Sequence, residues 1–383
     1  MSAIEQWLTE LLLQHGIDML RVEAESKARV LALLILMQKD LVSVLANADA
    51  ISDMGKAGKN AVLRESNAII ADYYGRAQLQ VDLFGLADVE SLGVKNALAG
   101  ALAHGAGAAS AEVRLGLSLP TENYLRTLAA DVLVQGSPAK NWWLRQQQDT
   151  AFKLANEIRI GAAQGETNAQ IIKRLVGQDA TVAKMPAKAD DATAKAAPDV
   201  EPSIPGIMPL ARSNAASIVQ TSMAAVATAA RRATFQANSD IINGIMQVST
   251  LDSHTSLTCI AYSGAQWDLN YAPINGNDLP YNGGVPRHFN CRSSETAIMK
   301  TLRQMGIDMD EPDPGQRASS AGPISAKTTF ADFLQMKGEA YQNEVLGPGR
   351  AELFRDGKLT PRDLVSMAGQ PLKLETLRAK YAQ

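Results

Sequence analysis

The chain has 383 residues, enough for two or three domains at about 150 residues each. Hydrophobic residues make up 46% and charged residues 20%, which excludes wholesale disorder, and a net charge of -3 excludes a strongly basic nucleic-acid coat. Two cysteines exclude a disulfide scaffold and point to folding in a reducing cytoplasm.

Aromatic residues are only 5% of the chain while alanine is abundant. Alanine costs least in a helix, and sheets draw on aromatics, so the composition predicts a mainly α protein. Residues 1–117 read as a helical N-terminal region. Ile4, Trp7, Leu8, Leu11 and Leu12 mark one apolar face. Val30, Leu33, Leu34, Met37, Leu41 and Val44 mark a second, and Val62, Ile69, Ile70, Tyr73 and Leu79 a third. The start, MSAIEQWLTE, is acidic and amphipathic and does not read as a leader. The longest apolar run, Val30 to Met37, is far short of the ~20 residues of a bilayer span, so it reads as a buried helix turn and no membrane contact is expected. From Ala97 to Ala111 the chain is rich in alanine and glycine, which suits either close helix packing or a mobile stretch.

Residues 118–177 read as a compact helical unit. Thr121 starts one helix, Ser137-Pro138 ends it, Trp142-Trp143 opens another, and Thr167 caps a third that stops at Gly177. Residues 178–208 are rich in proline and alanine with almost no large apolar residue before Ile204, which predicts an extended linker. Residues 209–303 open with a long helix, roughly 213–238, followed by a strand near Ile245 to Thr250 and an irregular loop over 268–287. Residues 304–327 read as a flexible connection and 328–383 as a helical tail, in which Thr360-Pro361-Arg362-Asp363 is a helix start. The predicted class is therefore mainly α with a small α+β domain toward the C-terminus: a helical N-terminal half, an extended linker, a His/Cys-containing loop domain and a helical tail.

The unusual chemistry lies in the loop domain. Of the four histidines in the chain, two stand near the only two cysteines, as His254-x4-Cys259 and His288-x2-Cys291. Two close-spaced pairs of thiolate and imidazole match what zinc asks of a structural site. The same residues also fit a Cys259–Cys291 disulfide, worth about 3.5–4 kcal/mol on chain entropy, or two buried thiols with hydrogen-bonding histidines. The loop between the pairs has little apolar content, so a staple is expected to hold it.

Other catalytic patterns are missing or loose. The sequence has no G-x-x-x-x-G-K-[ST], no G-x-S-x-G and no H-E-x-x-H. Arg287-His288-Phe289-Asn290 with His254 and Asp252 could make a metal-dependent nuclease. Arg212, Ser249-Thr250 and Glu295 loosely suit a nicotinamide-using transferase. Arg231-Arg232, Arg287, Arg292 and Lys300 to Arg303 give the domain a slight positive balance, either a solvated helix face or a local DNA contact.

VSTLDSHTSLTCIAYSGAQW followed by VPRHFNCRS resembles the signature of the phage head morphogenesis family, the Mu F-like minor head proteins. The matching positions are Thr250, Asp252, His254, Thr255, Cys259, Gly264, Trp267, Pro286, His288, Cys291 and Arg292. This chain departs from the family at Tyr262, where many members have a second cysteine, and at His254, where many have arginine. The resemblance implies that His254 replaces the lost thiolate in a four-ligand site of His254, Cys259, His288 and Cys291. No catalytic residue and no cofactor beyond a structural zinc is expected. The resemblance further implies a structural virion protein in the head near the portal vertex, present in host cytoplasm during assembly, with the portal and other head proteins as partners and some contact with DNA. A virion-carried enzyme, a metal nuclease or an ADP-ribosyltransferase-like protein using the His/Cys loop, is the alternative.

Overall fold

A computed structural model describes residues 2–177, 206–310 and 328–381, together with the backbone at 316–317 and 324–325. Three long helices come first: α1 (Ala3–Asn47), α2 (Lys56–Gln78) and α3 (Leu83–Ala106). The short helix α4 (Ala111–Leu115) and α5 (Glu122–Asp131) follow. Two-residue strands, β1 (Leu133–Val134) and β2 (Ser137–Pro138), flank a turn at Gln135-Gly136, and then come α6 (Ala139–Ala163), α7 (Asn168–Val176) and α8 (Ile207–Ala237). Next are β3 (Ile242–Val248), the one-turn helix α9 (Leu257–Ala261), β4 (Gln266–Asp268) and β5 (Ser294–Met299). A pair of two-residue strands, β6 (Gln316–Arg317) and β7 (Ile324–Ser325), precedes α10 (Phe330–Lys337), α11 (Glu339–Leu346), α12 (Pro348–Arg355) and α13 (Leu374–Tyr381). Helix takes up 66% of the structure, with a small antiparallel sheet in the C-terminal half, as the composition predicts.

The chain forms two compact units. One holds residues 1–22, 83–136 and 221–383; the other holds 23–82 and 137–220. Residues 118–136 thus fall in the first unit and 137–177 in the second. Most of the stretch read as a linker lies outside the described residues. Its two flanks meet, however: a Cβ on Gly206 would stand 2.1 Å from the Gly177 backbone nitrogen. The chain leaves and returns at one place, and α8 starts at Ile207, earlier than the sequence suggests. The connection at 304–327 is likewise described only in part.

In the first unit the N-terminal turns of α1 pack on α3. The alanine- and glycine-rich stretch serves close approach: a Cβ at Gly105 would stand 2.4 Å from Ile4, and one at Gly100 2.9 Å from Leu11; just before the stretch, one at Gly93 would stand 2.2 Å from His15. Ile4, Leu8 and Leu12 are buried there with Val94, Leu98 and Leu102. The same core takes in Phe235 of α8, Ile245 of β3, Trp267 of β4 and Phe333 of α10. The sheet order is β4-β3-β5, with Ile245 opposite both Trp267 and Ala297. Gly244 lets β4 close in, because a Cβ there would fall 2.2 Å from the Trp267 carbonyl oxygen.

In the second unit Val30, Leu34, Met37, Leu41 and Leu45 form the buried stripe of α1. Trp143 of α6 packs beside Tyr74 of α2, whose hydroxyl meets Thr150 at 2.9 Å. Local capping works as the sequence reads. Thr121 caps α5, Thr167 and Gln170 make a capping box for α7, and Gly177 ends it at φ 87°. The Thr360-Asp363 box is also formed, but it starts only a four-residue 3-10 turn, because Val365 then pairs in extended form with Pro371. By length and composition α1 could cross a membrane, with mean hydropathy 1.7 over its most apolar 18 residues.

Candidate metal centre

The centre is assembled by three short pieces. After β3 the chain turns at Asp252, whose carboxylate takes both arms of the Arg292 guanidinium at 2.7 Å each. Asp252 also accepts the His254 backbone N–H at 3.0 Å and the Thr255 hydroxyl at 3.1 Å. Thr255 donates to the Thr250 carbonyl at 2.6 Å, and Thr250 donates to the Arg292 carbonyl at 3.3 Å. This clasp ties the segment before α9 to the segment after Cys291. The Arg292 hydrogen bonds hold the Asp252 carboxyl below the usual carboxylate range.

Ser256 then caps α9, accepting the Cys259 backbone N–H at 3.2 Å. The cap sets Cys259 on the inner side of that single turn. On the other side, the Cys291 N–H donates to the His288 carbonyl at 3.2 Å, closing a turn with Asn290 at φ 60°. A positive φ at the third residue is the type II requirement, and asparagine tolerates it. The turn puts the side chains of His288 and Cys291 together.

Cys259, His288 and Cys291 offer ligand atoms that all lie within 4.8 Å of one another. Cys259 Sγ is 3.6 Å from Cys291 Sγ and 3.4 Å from His288 Nε2. A tetrahedral zinc, with bonds of about 2.3 Å to sulfur and 2.0–2.1 Å to nitrogen, holds two sulfurs about 3.8 Å apart and sulfur and nitrogen about 3.5 Å apart. The observed spacings fit. His288 Nδ1 lies 2.9 Å from the Phe289 carbonyl oxygen, a pure acceptor, so Nδ1 carries a proton. Zinc-binding histidines are oriented by such a bond on the far nitrogen, leaving Nε2 toward the metal. Ser256 Oγ stands 2.9 Å from Nε2. This buried group can hold a metal ion such as zinc.

The two thiols are unequal. The contact with Cys259, despite burial, lowers the Cys291 thiol well below its ordinary value; His288 adds to the effect. The same contact, with burial, pushes Cys259 up. The hydrogen bond with Cys291 also raises the His288 imidazole.

Two expectations change. His254 is not in the group: it is solvent-exposed on the Asp252–Thr255 turn, whose shape the Asp252–Arg292 clasp dictates. Spacing alone could not separate a turn residue from a ligand. Cys259 and Cys291 are free thiols in contact and not a disulfide.

The loop over 268–287 is also better anchored than its composition suggests. It places Leu279, Tyr281 and Val285 in buried positions, and Trp267 Nε1 donates to the Leu279 carbonyl at 2.8 Å. Beneath it Glu295, only 1% exposed, accepts Arg232 Nε at 2.8 Å, the Tyr281 hydroxyl at 3.0 Å and the Val285 N–H at 3.1 Å. Arg287 stacks 3.5 Å over the Tyr262 ring and donates to Gln247 at 2.6 Å. Sequence reasoning missed this network and Ser256. A glutamate placed at an apolar strand position, between Ser294 and Ala297, was the available signal.

Most arginines of this loop domain are tied to partners, while Arg303 is exposed and pairs with Asp310 at 2.9 Å. Arg231 is buried and meets Glu90 at 2.7 Å, and Glu90 in turn meets His15 at 2.9 Å. Arg232 and Arg292 are spent on Glu295 and Asp252. Arg212 belongs to the other unit and donates to Gln38 at 2.6 Å. Two shallow surface hollows of about 330 Å³ each, one lined by Leu33, Leu36 and Arg76 and one by Tyr124, Arg232 and Tyr271, do not include the Cys–His group. No family model matches the chain, and neither a curated protein nor a solved structure matches it significantly.

Proposed function

We propose that this chain is a structural minor head protein of a tailed bacteriophage, associating with the portal during procapsid assembly and helping later in DNA retention or ejection. What carries the reading is that the Thr250–Arg292 pattern, on which the family resemblance rests, corresponds to one physical unit. Asp252, Thr255 and Arg292 clasp it, Gly264 turns at φ 84°, Trp267 fills the core, and Cys259, His288 and Cys291 converge. Positions far apart in sequence thus share one local role, that of a knuckle.

In this reading the knuckle carries a structural zinc on Cys259, His288 and Cys291. The metal would cross-link α9 to the segment after the loop, a role suited to a buried site. The enzyme alternative draws on the count of three protein ligands, which is the number a catalytic zinc uses. Against it, the carboxylates an enzyme would need are committed: Asp252 to Arg292, and Glu295 to Arg232 and Tyr281.

The test is to produce phage particles with and without this chain and to image them by electron cryomicroscopy. Density for the chain at the portal vertex, together with defects in head assembly, DNA retention or infectivity on its deletion, is the expected result. Normal, fully infectious particles that lack only a measurable enzymatic activity would refute the proposal.

A further inference from the structure

Cys259, His288 and Cys291 leave a tetrahedral metal one position short. The polar side chains around them, all in the first unit, differ in what they have left to give. His254 stands in solvent on its turn. Asp252 is spent on Arg292. Ser293 donates to Ser249 Oγ at 3.1 Å, and Ser249 in turn donates to the Cys259 carbonyl at 2.7 Å. Ser256 is placed differently. Its hydroxyl oxygen lies 2.9 Å from His288 Nε2, the ring nitrogen turned toward the metal, and it also contacts the Cys259 thiol.

We propose that the Ser256 hydroxyl is the fourth ligand of the metal centre, a proposal that rests on the zinc-knuckle reading above. The site then holds zinc by two thiolates, one imidazole and one neutral hydroxyl. Two ligand atoms with bonds of about 2.0–2.1 Å stand about 3.3–3.4 Å apart around a tetrahedral ion. Ser256 Oγ and His288 Nε2 therefore need to part by only about 0.4–0.5 Å. The lone pairs allow it. With Nδ1 protonated, Nε2 accepts, so Ser256 donates to it. A metal on Nε2 takes that lone pair and ends the donation. The Ser256 oxygen accepts the Cys259 N–H with one lone pair, and a hydroxyl oxygen has two. The second binds the ion while the O–H turns outward.

Charge favours the same ligand. Zinc with two thiolates has no net charge, and Cys259 and Cys291 are only 2% and 4% exposed. A buried charge is costly unless it is paired. A neutral hydroxyl keeps the centre neutral, whereas a hydroxide or a carboxylate would leave one negative charge over. Ser256 and His288 are both half-buried, so the serine closes the wetter side of the site. A closed site keeps no position for a substrate or an activated water, which is the mark of a structural zinc.

The experiment loads the full chain with cobalt(II) alone, reads its visible and near-ultraviolet absorption, and then measures zinc affinity by competition with a chromogenic chelator. Ser256→Cys adds a third thiolate to two, so the sulfur-to-cobalt charge-transfer band grows by about half. Ser256→Gly still caps α9 at a cost of only a few tenths of a kcal/mol, yet its zinc affinity falls at least about tenfold. Added imidazole shifts the cobalt spectrum of Ser256→Gly and leaves that of the native chain unchanged. Ser256→Thr keeps the hydroxyl and binds zinc as the native chain does. Far-UV circular dichroism checks that each variant folds. The proposal alone is overturned if metal is bound but the Ser256→Cys band does not grow, if Ser256→Gly binds zinc as tightly as the native chain, or if the native cobalt site takes imidazole. A native chain that binds neither cobalt nor zinc overturns the zinc reading and the proposal with it.

Discussion

Replacing Glu295 with alanine tests whether the loop that delivers His288 and Cys291 is held by the buried network beneath it. The carboxylate has three partners: the Arg232 guanidinium, the Tyr281 hydroxyl and the Val285 N–H. Removing one member of a buried ion pair leaves an uncompensated charge and typically costs about 3–5 kcal/mol. Arg232 keeps the Gly283 and Val285 carbonyls as acceptors, and its side chain is 16% exposed, so the lower end of that range, about 3 kcal/mol, applies. Urea denaturation followed by circular dichroism measures the loss, and hydrogen exchange locates it in residues 281–291. The double variant Glu295→Leu with Arg232→Met removes both charges. It should therefore be more stable than the sum of its single variants by about 1–3 kcal/mol. A loss below about 1 kcal/mol for Glu295→Ala, or strict additivity in the double variant, would show that the ion pair does not hold the loop.

The metal reading makes its own demand. The purified chain should bind one equivalent of zinc by competition with a chromogenic chelator. Cys291→Ser and His288→Ala should abolish binding while His254→Ala leaves it intact; equal losses for all three would return His254 to the site. Glu90 carries a pH prediction. Burial pushes its carboxyl up, but Arg231 and His15 beside it more than offset this and leave it below the usual carboxylate value. Its contribution is therefore full above the unfolded value of about 4.3 and is lost as pH falls through the lower folded value. Thermal melts between pH 7 and pH 3 should show native stability falling in the acid range. Glu90→Gln, destabilised by about 3 kcal/mol at pH 7, should lack that part of the slope, and parallel curves would rule out Glu90 as its source.

Sequence alone determined the features that depend on local physics. Thr121, Thr167 and Gly177 set helix ends because a cap needs only a side-chain oxygen or a glycine at one position. The predicted strand fell within two residues of β3 at its C-terminal end, since a β-branched and apolar run is itself the signal. The spacing of His288 and Cys291 already fixed their meeting, because the two are joined by one turn.

Tertiary structure decided what depends on distant partners. Whether the glycines of α3 served packing or mobility turned on Ile4 and His15 of α1, about 80 or more positions away in the chain. Cys259 reaches Cys291 because the pairing of β3 with β5 and the Asp252–Arg292 clasp, 40 residues apart in the chain, bring the two segments together, and His254 on the clasped turn stays in solvent. The loop over 268–287 looked unanchored because its aromatic anchors are few. Burial on Glu295 and Trp267 makes each of them count, and composition does not record which side chains go inside.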